Sequence, residues 1–275
     1  MKIVIVIPSI TNYHTFLKEI CLKLCKDGHS LHLITSNKHL NGSIDINEKI
    51  SGTLHLINFP RNFNLLQIIS SICNIHSILR KLKPDLVHGH FFITLFLLSF
   101  CKILLPYKYI VTLHGVNSYN LNGLRKYLYL FIEVFSIRLL DHVFILNKED
   151  KQYLKSYTNN ISLHRKYGIG CDINIFNKSN IDEQIYRNVK AKLNLSGNEF
   201  IFVFTGRLVH FKGFDLVVRS FLNHLKDFPK SKLLVIGDFD EIHPSGLSES
   251  DYSLFLNNDS ILKIGWVNNV QDYLF

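Results

Sequence analysis

The densest concentration of residues able to do chemistry is the run Phe204-Thr205-Gly206-Arg207-Leu208-Val209-His210-Phe211-Lys212-Gly213-Phe214-Asp215. Gly206 has no Cβ and lets backbone approach closely at the end of an apolar strand, and Gly213 opens the helix that follows. Arg207 and Lys212 then set two fixed positive charges where a helix dipole also favours an anion. A guanidinium fork and an ammonium point charge together suit a diphosphate. Spacing alone serves a solvated helix-capping loop equally well.

Other groups carry weaker signals. Asp238-Phe239-Asp240 spells the D-x-D that can hold a divalent cation through paired oxygens, but after a glycine at a strand end it reads as a loop or cap. Gly168-Ile169-Gly170 lacks the third glycine and the following helix of a nicotinamide site, which argues against a dehydrogenase. His88 and His90 flank Gly89 in one strand and are expected on opposite faces, so that His90 lies near a ligand and His88 is structural. That placement disfavours a shared metal, and none is expected. Cys21, Cys25, Cys73, Cys101 and Cys171 are odd in number with no C-x-x-C pair, which suits small apolar packing in a reduced compartment. Asn41-Gly42-Ser43 has the form of a glycosylation acceptor but no secretory signal beside it.

The elements that must position these residues alternate along all 275 residues. Strands are expected at Lys2–Ile7, Ser30–Thr35, Leu54–Asn58, Leu86–His88, Tyr109–Leu113, His142–Ile145 and Leu163–Lys166, with helices between them near Tyr13–Lys26, Leu65–Lys83, Thr94–Leu105, Leu124–Leu140 and Lys148–Ser156. Continuous Val, Ile and Leu runs indicate parallel strands covered on both faces. A polar stretch follows, a helix is expected at Gln184–Leu193, and the alternation restarts at Phe200–Thr205, Phe214–Lys226, Lys232–Ile236 and Ile261–Ile264. The chain therefore divides into 1–173, a linker and helix over 174–198, and a partial second α/β domain over 199–275. Ligands of such sheets bind beyond the carboxyl ends of the strands, where Pro8 to Asn12, Thr35-Ser36-Asn37, His114-Gly115, Gly206-Arg207, Gly237-Asp238 and Gly265-Trp266 fall. A cleft between the two domains is the expected site.

Charge is uneven. The first 180 residues hold 21 Lys and Arg against 10 Asp and Glu, and the last 95 hold 10 against 12. The basic part has no nucleic-acid motif, so nucleic acid is not expected as a partner, whereas peripheral contact with an anionic membrane suits apolar helices with basic ends. Phe91–Leu105 is too short to span a bilayer and Lys102 interrupts it. A cytoplasmic protein, at most peripheral at the inner membrane face, is expected.

The Gly206–Asp215 run resembles the G-R-L-x-x-x-K-G-x-D segment of glycosyltransferase family 4, the retaining family with the GT-B fold. Gly28-His29-Ser30-Leu31-His32-Leu33-Ile34-Thr35, Lys83-Pro84-Asp85-Leu86-Val87-His88-Gly89-His90, Val111-Thr112-Leu113-His114-Gly115, Asp141-His142-Val143-Phe144-Ile145, Gly168 to Phe176 (with Tyr167 where Asn is usual) and Leu233 to Gly237 are similar to its other segments, in order. The resemblance implies two Rossmann-like domains facing a cleft and a sugar transfer, with retention, from a nucleotide-sugar donor to a glycan or lipid-linked acceptor in cell-surface polysaccharide synthesis. It assigns Arg207 and Lys212 to the donor diphosphate, His114 to the sugar, Ser9 and Asn12 of the first loop and Gly206 to the phosphates, and Trp266 and Val267 to the base. No metal cofactor is implied, because the cationic side chains stabilise the leaving group. The first loop, Pro8 to His14, has no Gly-Gly pair, and the family's E-x7-E element has no counterpart before Phe275. The resemblance thus also implies a C-terminally truncated chain, for which an inactive remnant or interaction subunit is the alternative and a nucleotide-sugar epimerase a weaker one.

Overall fold

The structure, a computed structural model, describes residues 1–36, 52–60, 64–164, 168–239 and 246–274. The expected features at Asn37, Asn41-Gly42-Ser43, Lys166, Tyr167, Asp240 and Phe275 lie outside the described residues. Two compact units are present, Met1–Gly170 and Cys171–Phe275.

In the first unit, β1 (Lys2–Val6), β2 (Ser30–Thr35), β3 (Thr53–Leu56), β4 (Leu86–His90), β5 (Lys108–Leu113), β6 (His142–Ile145) and β7 (Ile161–Leu163) form one parallel sheet, ordered β3-β2-β1-β4-β5-β6-β7. The helices are α1 (Ile10–Phe16), α2 (Lys18–Lys26), α3 (Leu65–Leu82), α4 (Phe92–Leu104), α5 (Gly123–Leu139) and α6 (Lys148–Lys155). β1 shows why its sequence is apolar without alternation. Val4 and Val6 enter the core under α3, α4, α5 and α6, while Ile3 and Ile5 enter a second core under α1 and α2.

Local chemistry sets the boundaries. The first helix starts at Ile10, three residues before the expected Tyr13, because the Ser9 hydroxyl accepts the Thr11 N–H at 3.2 Å and caps it. Leu17 then leaves helical geometry and splits the expected single helix in two. Lys83 ends α3 in the left-handed region at φ 48°, and Pro84 follows, so the chain turns directly into β4. β7 begins two residues earlier than expected, since Asn160 donates to the carbonyls of Ile137 and Leu140 and fixes the turn before Ile161.

His88 and His90 lie on the same face of the sheet, contrary to the expectation of opposite faces. Residues two apart in a strand share a face, and the two rings are 4.3 Å apart. Tyr109, Val111, Leu113, Val143, Ile145 and Ile161 take the face under α3 to α6, which leaves His88, His90, Thr112, His142 and Phe144 on the other. His88 pairs with the Thr112 hydroxyl at 2.9 Å and His142 with the Ser162 hydroxyl at 2.7 Å.

The second unit contains α7 (Glu183–Lys192), β8 (Ile201–Thr205), α8 (Phe214–His224), β9 (Lys232–Ile236), α9 (Glu249–Leu256) and β10 (Ile261–Gly265). Its strands are parallel in the order β10-β9-β8. The stretch expected as linker and helix, 174–198, includes α7, whose Val189, with Leu193 just after the helix, packs on Leu234 and Ile236 of β9. α9 was not foreseen. The Ser248 hydroxyl caps it by accepting the Asp251 N–H at 3.2 Å, but only Asp251 and Phe255 are buried, so the apolar period is weak.

Candidate functional site

The three strands of the second unit each end in glycine. Gly206, Gly237 and Gly265 have φ of 143°, 140° and 74°, a region that side chains rarely adopt. Backbone pairing continues across them: Gly206 N–H donates to Ile236 O at 3.0 Å, and Gly237 N–H to Gly265 O at 2.9 Å. A Cβ on Gly237 would lie 2.0 Å from Gly206 O, so this close approach requires glycine. The result is a backbone ledge, bare of side chains, at the carboxyl edge of the sheet. The sequence pointed to Gly206, but Gly237 as its steric partner emerges only from the pairing of β8 with β9.

Arg207 leaves this ledge as an exposed residue, and Leu208 N–H donates to Asp238 O at 3.0 Å to hold the chain beside β9. Asp238 of the D-x-D thus acts through its backbone in a loop. His210–Lys212 forms one 3-10 turn, Gly213 takes φ 69°, and α8 begins at Phe214 with no side-chain cap. Exposed Lys212 sits at that junction, its Nζ 5.8 Å from the Phe211 ring centre. Both cations therefore belong to the segment between the ledge and the uncapped N-terminus of α8, where free N–H groups and the dipole favour anions.

His210 anchors this segment, a role that spacing did not reveal. Its Nδ1 is 3.1 Å from Asp215 Oδ1 and its Nε2 3.7 Å from Asp251 Oδ2. Asp251 also takes a fork from Arg219, with Nε at 3.0 Å. The Ser248 hydroxyl and Arg219 hold the Asp251 carboxyl below the usual carboxylate range. Trp266, 47% exposed, and Val267 follow Gly265, and Val267 packs against the Leu234 and Ile236 cluster. Gly206, Arg207, Lys212, Trp266 and Val267 all lie at the strand ends of one unit.

Ser9, Asn12 and His114 belong to the first unit. The Ser9 hydroxyl is used by its cap, and Asn12 is in the first turn of α1, not in a loop. Phe16 of α1 lies 5.3 Å from the His114 ring, centre to centre, which ties that helix to the end of β5. Phe91 stacks on His114 at 3.9 Å with planes 19° apart, and does so from a backbone φ of 74°. A non-glycine residue there costs about 1–3 kcal/mol, and the stack is what the strain secures. His90 Nδ1 is 3.2 Å from His114 Nε2, so one ring donates and the other accepts. Burial lowers the pKa of both, His114 to about 4, and keeps the pair neutral near pH 7. Two carboxylates fix the loop after His114: Asp150 accepts the Val116 N–H at 3.1 Å, and fully buried Glu133 accepts the Asn117 N–H at 2.8 Å and the Ser118 hydroxyl. Glu133 was legible only as a lone acid in an apolar helix.

Among the described residues, no group of three or more His, Cys, Asp or Glu is arranged to hold a metal ion. Cys21 and Cys101 pack in cores as expected, whereas Cys73 and Cys171 are exposed and do not.

The chain is similar to several known proteins. A galactosyltransferase of Escherichia coli, UDP-Gal:alpha-D-GlcNAc-diphosphoundecaprenol alpha-1,3-galactosyltransferase, is 23% identical over 227 residues, which is 78% of this chain. The chain spans about half the length of that curated relative, 55%. The crystal structure of a glycosyltransferase from Rickettsia africae ESF-5 matches 99% of this chain and 70% of its own, with a TM-score of 0.73 and 21% identity. Anabaena Alr3699/HepE, solved with UDP and glucose, matches 99% of this chain and 71% of its own, with a TM-score of 0.72 and 15% identity. These neighbours share the α/β, GT-B-type fold. Residues 14–162, more than half of the sequence and most of the seven-stranded unit, match the Glycosyltransferase Family 4 profile. The chain belongs to glycosyltransferase family 4.

Proposed function

We propose that this protein transfers a sugar from a nucleotide-sugar donor, a UDP-sugar, to a lipid-linked or glycan acceptor, with retention, in the synthesis of a cell-surface polysaccharide. The observation that carries this reading is the glycine ledge of β8, β9 and β10 with Arg207 and Lys212 beside it. Bare backbone admits a diphosphate closely, and the two cations with the N-terminus of α8 neutralise it. As the bond from the anomeric carbon to the diphosphate oxygen breaks, negative charge grows on the leaving group. Fixed positive charge aimed there lowers the barrier by interactions stronger in the transition state than in the ground state. Trp266 and Val267 flank the same ledge as walls for the base, and neutral His114, clamped by Phe91, offers a hydrogen bond to the sugar.

The E. coli relative acts on UDP-Gal and a diphosphoundecaprenol-linked acceptor, and the Anabaena protein was solved with UDP and glucose, which supports the choice of donor and acceptor class. With side-chain cations as the electrophile, EDTA leaves donor affinity unchanged. Calorimetry of UDP-sugar binding tests the assignment: Arg207→Ala and Lys212→Ala each weaken it about tenfold or more, as loss of a charge-assisted hydrogen bond predicts. Unchanged affinity in both variants rejects it. Proton NMR of the product's anomeric signal separates retention from inversion, and donor binding without turnover identifies an interaction subunit.

A further inference from the structure

His90 and His114 meet in a contact whose chemistry follows from proton count. His90 Nδ1 and His114 Nε2 stand 3.2 Å apart, and burial keeps both rings neutral near pH 7. A neutral imidazole carries one N–H, on either nitrogen. If His90 Nδ1 holds the proton of the contact, His114 Nε2 is bare and His114 Nδ1 carries that ring's own proton. If His114 Nε2 holds it, His90 Nδ1 is bare and the other proton is on His90 Nε2. Both rings therefore share one tautomer, and the two outer nitrogens are always one donor and one acceptor. Among the described residues, neither His90 Nε2 nor His114 Nδ1 has a hydrogen-bond partner of its own.

The fold holds the pair as a fixed unit. His90 ends β4, where the Thr94 hydroxyl donates to its carbonyl at 2.7 Å and Phe91 N–H donates to Thr112 O at 3.1 Å. A Cβ on Gly89 would lie 2.6 Å from Leu98 and 2.9 Å from the Thr94 hydroxyl, so glycine brings α4 close against the strand. The His88 ring packs 4.3 Å from that of His90, and its Nε2 is taken by the Thr112 hydroxyl. Phe91 and Phe16 confine the His114 ring. His114 thus has one nitrogen left for a ligand, and the state of His90 decides whether that nitrogen donates or accepts.

We propose that His90 is a positioning residue for the donor sugar: with His114 it forms a single two-ring unit that fixes the tautomer His114 presents to a sugar hydroxyl. The role toward the sugar rests on the transfer reaction proposed above, whereas the shared tautomer does not.

Two measurements test the two parts separately. Long-range proton–nitrogen NMR of the full chain with isotope-labelled histidine, at neutral pH and without nucleotide, is expected to show both rings in the same tautomer, with His90→Asn and His114→Asn assigning the signals. Opposite tautomers, or a protonated ring, overturn the proposal. Calorimetry then compares UDP-Gal, the donor of the E. coli relative, with UDP. His90→Leu is expected to weaken UDP-Gal binding about fivefold or more and to leave UDP unchanged, as loss of a hydrogen bond made only to the sugar requires. His90→Asn, whose amide replaces the Nδ1 contact, restores most of the affinity, whereas a packing role alone favours leucine over asparagine. Equal UDP-Gal binding by the parent and His90→Leu, an equal loss with UDP, or no advantage of asparagine overturns the role of His90. A parent chain that does not bind UDP-Gal rejects the transfer reading instead, and the shared tautomer is still decided by NMR.

Discussion

Gly237 controls the geometry of the backbone ledge at the ends of β8 and β9 although it carries no chemical group. An alanine there places a methyl 2.0 Å from Gly206 O at a φ of 140°, so β8 and β9 must separate at their carboxyl ends. Gly237→Ala is expected to cost at least about 2 kcal/mol by urea titration and to weaken UDP-sugar binding in parallel. Glu133 is the counterpart in the first unit. Glu133→Ala leaves the Asn117 N–H and the Ser118 hydroxyl without acceptors and costs about 1–3 kcal/mol, whereas Glu133→Gln keeps an acceptor oxygen and costs less. If the alanine and glutamine variants unfold at the same urea concentration, the carboxylate's hydrogen bonds are not what stabilises the loop.

At the scale of elements, β4 and β6 carry His88, His90 and His142 on one face, with His114 just after β5 beside His90, and acid should loosen this group. Burial holds His88 and His114 at about 4, against an ordinary value of 6.5. Between those values the unfolded chain binds more protons than the folded one, so this contribution to stability is complete above pH 6.5 and is lost progressively as pH falls toward 4. Thermal midpoints measured from pH 7.5 to 4.5 are expected to decline, with a shallower slope in His88→Asn (about pH 5 is the most telling condition). An identical slope in that variant assigns the acid sensitivity to other groups. In the second unit, His210 and Asp251 tie the Arg207–Lys212 segment to α8 and α9. Asp251→Asn removes the ionised partner of Arg219 and leaves His210 with Asp215 as its carboxylate neighbour, so calorimetry should find weaker UDP-sugar binding with Arg207 and Lys212 both in place.

For the whole molecule, each unit has its own sheet and its own core, and the charge excess lies with the first. A fragment of residues 1–170 is expected to unfold cooperatively by itself, because the seven-stranded sheet and its helices form their own core. A fragment that melts without a cooperative transition shows instead that the first unit depends on the second.

Parallel α/β architecture was readable in the sequence because strands covered on both faces must be continuous apolar runs, as in Lys2–Val6 and Lys232–Ile236. The Gly206, Arg207, Lys212 and Gly213 cluster was readable too, since turn chemistry and fixed charge are properties of residue type and short spacing. Tertiary structure alone decided which distant groups meet. Phe91 over His114, Gly237 against Gly206, His210 between Asp215 and Asp251, and Glu133 under Ser118 join residues through strand pairing and helix packing, which local periodicity does not encode. It likewise decided which side of α5 faces solvent, because a helix apolar on both sides carries no signal of which one the core will take.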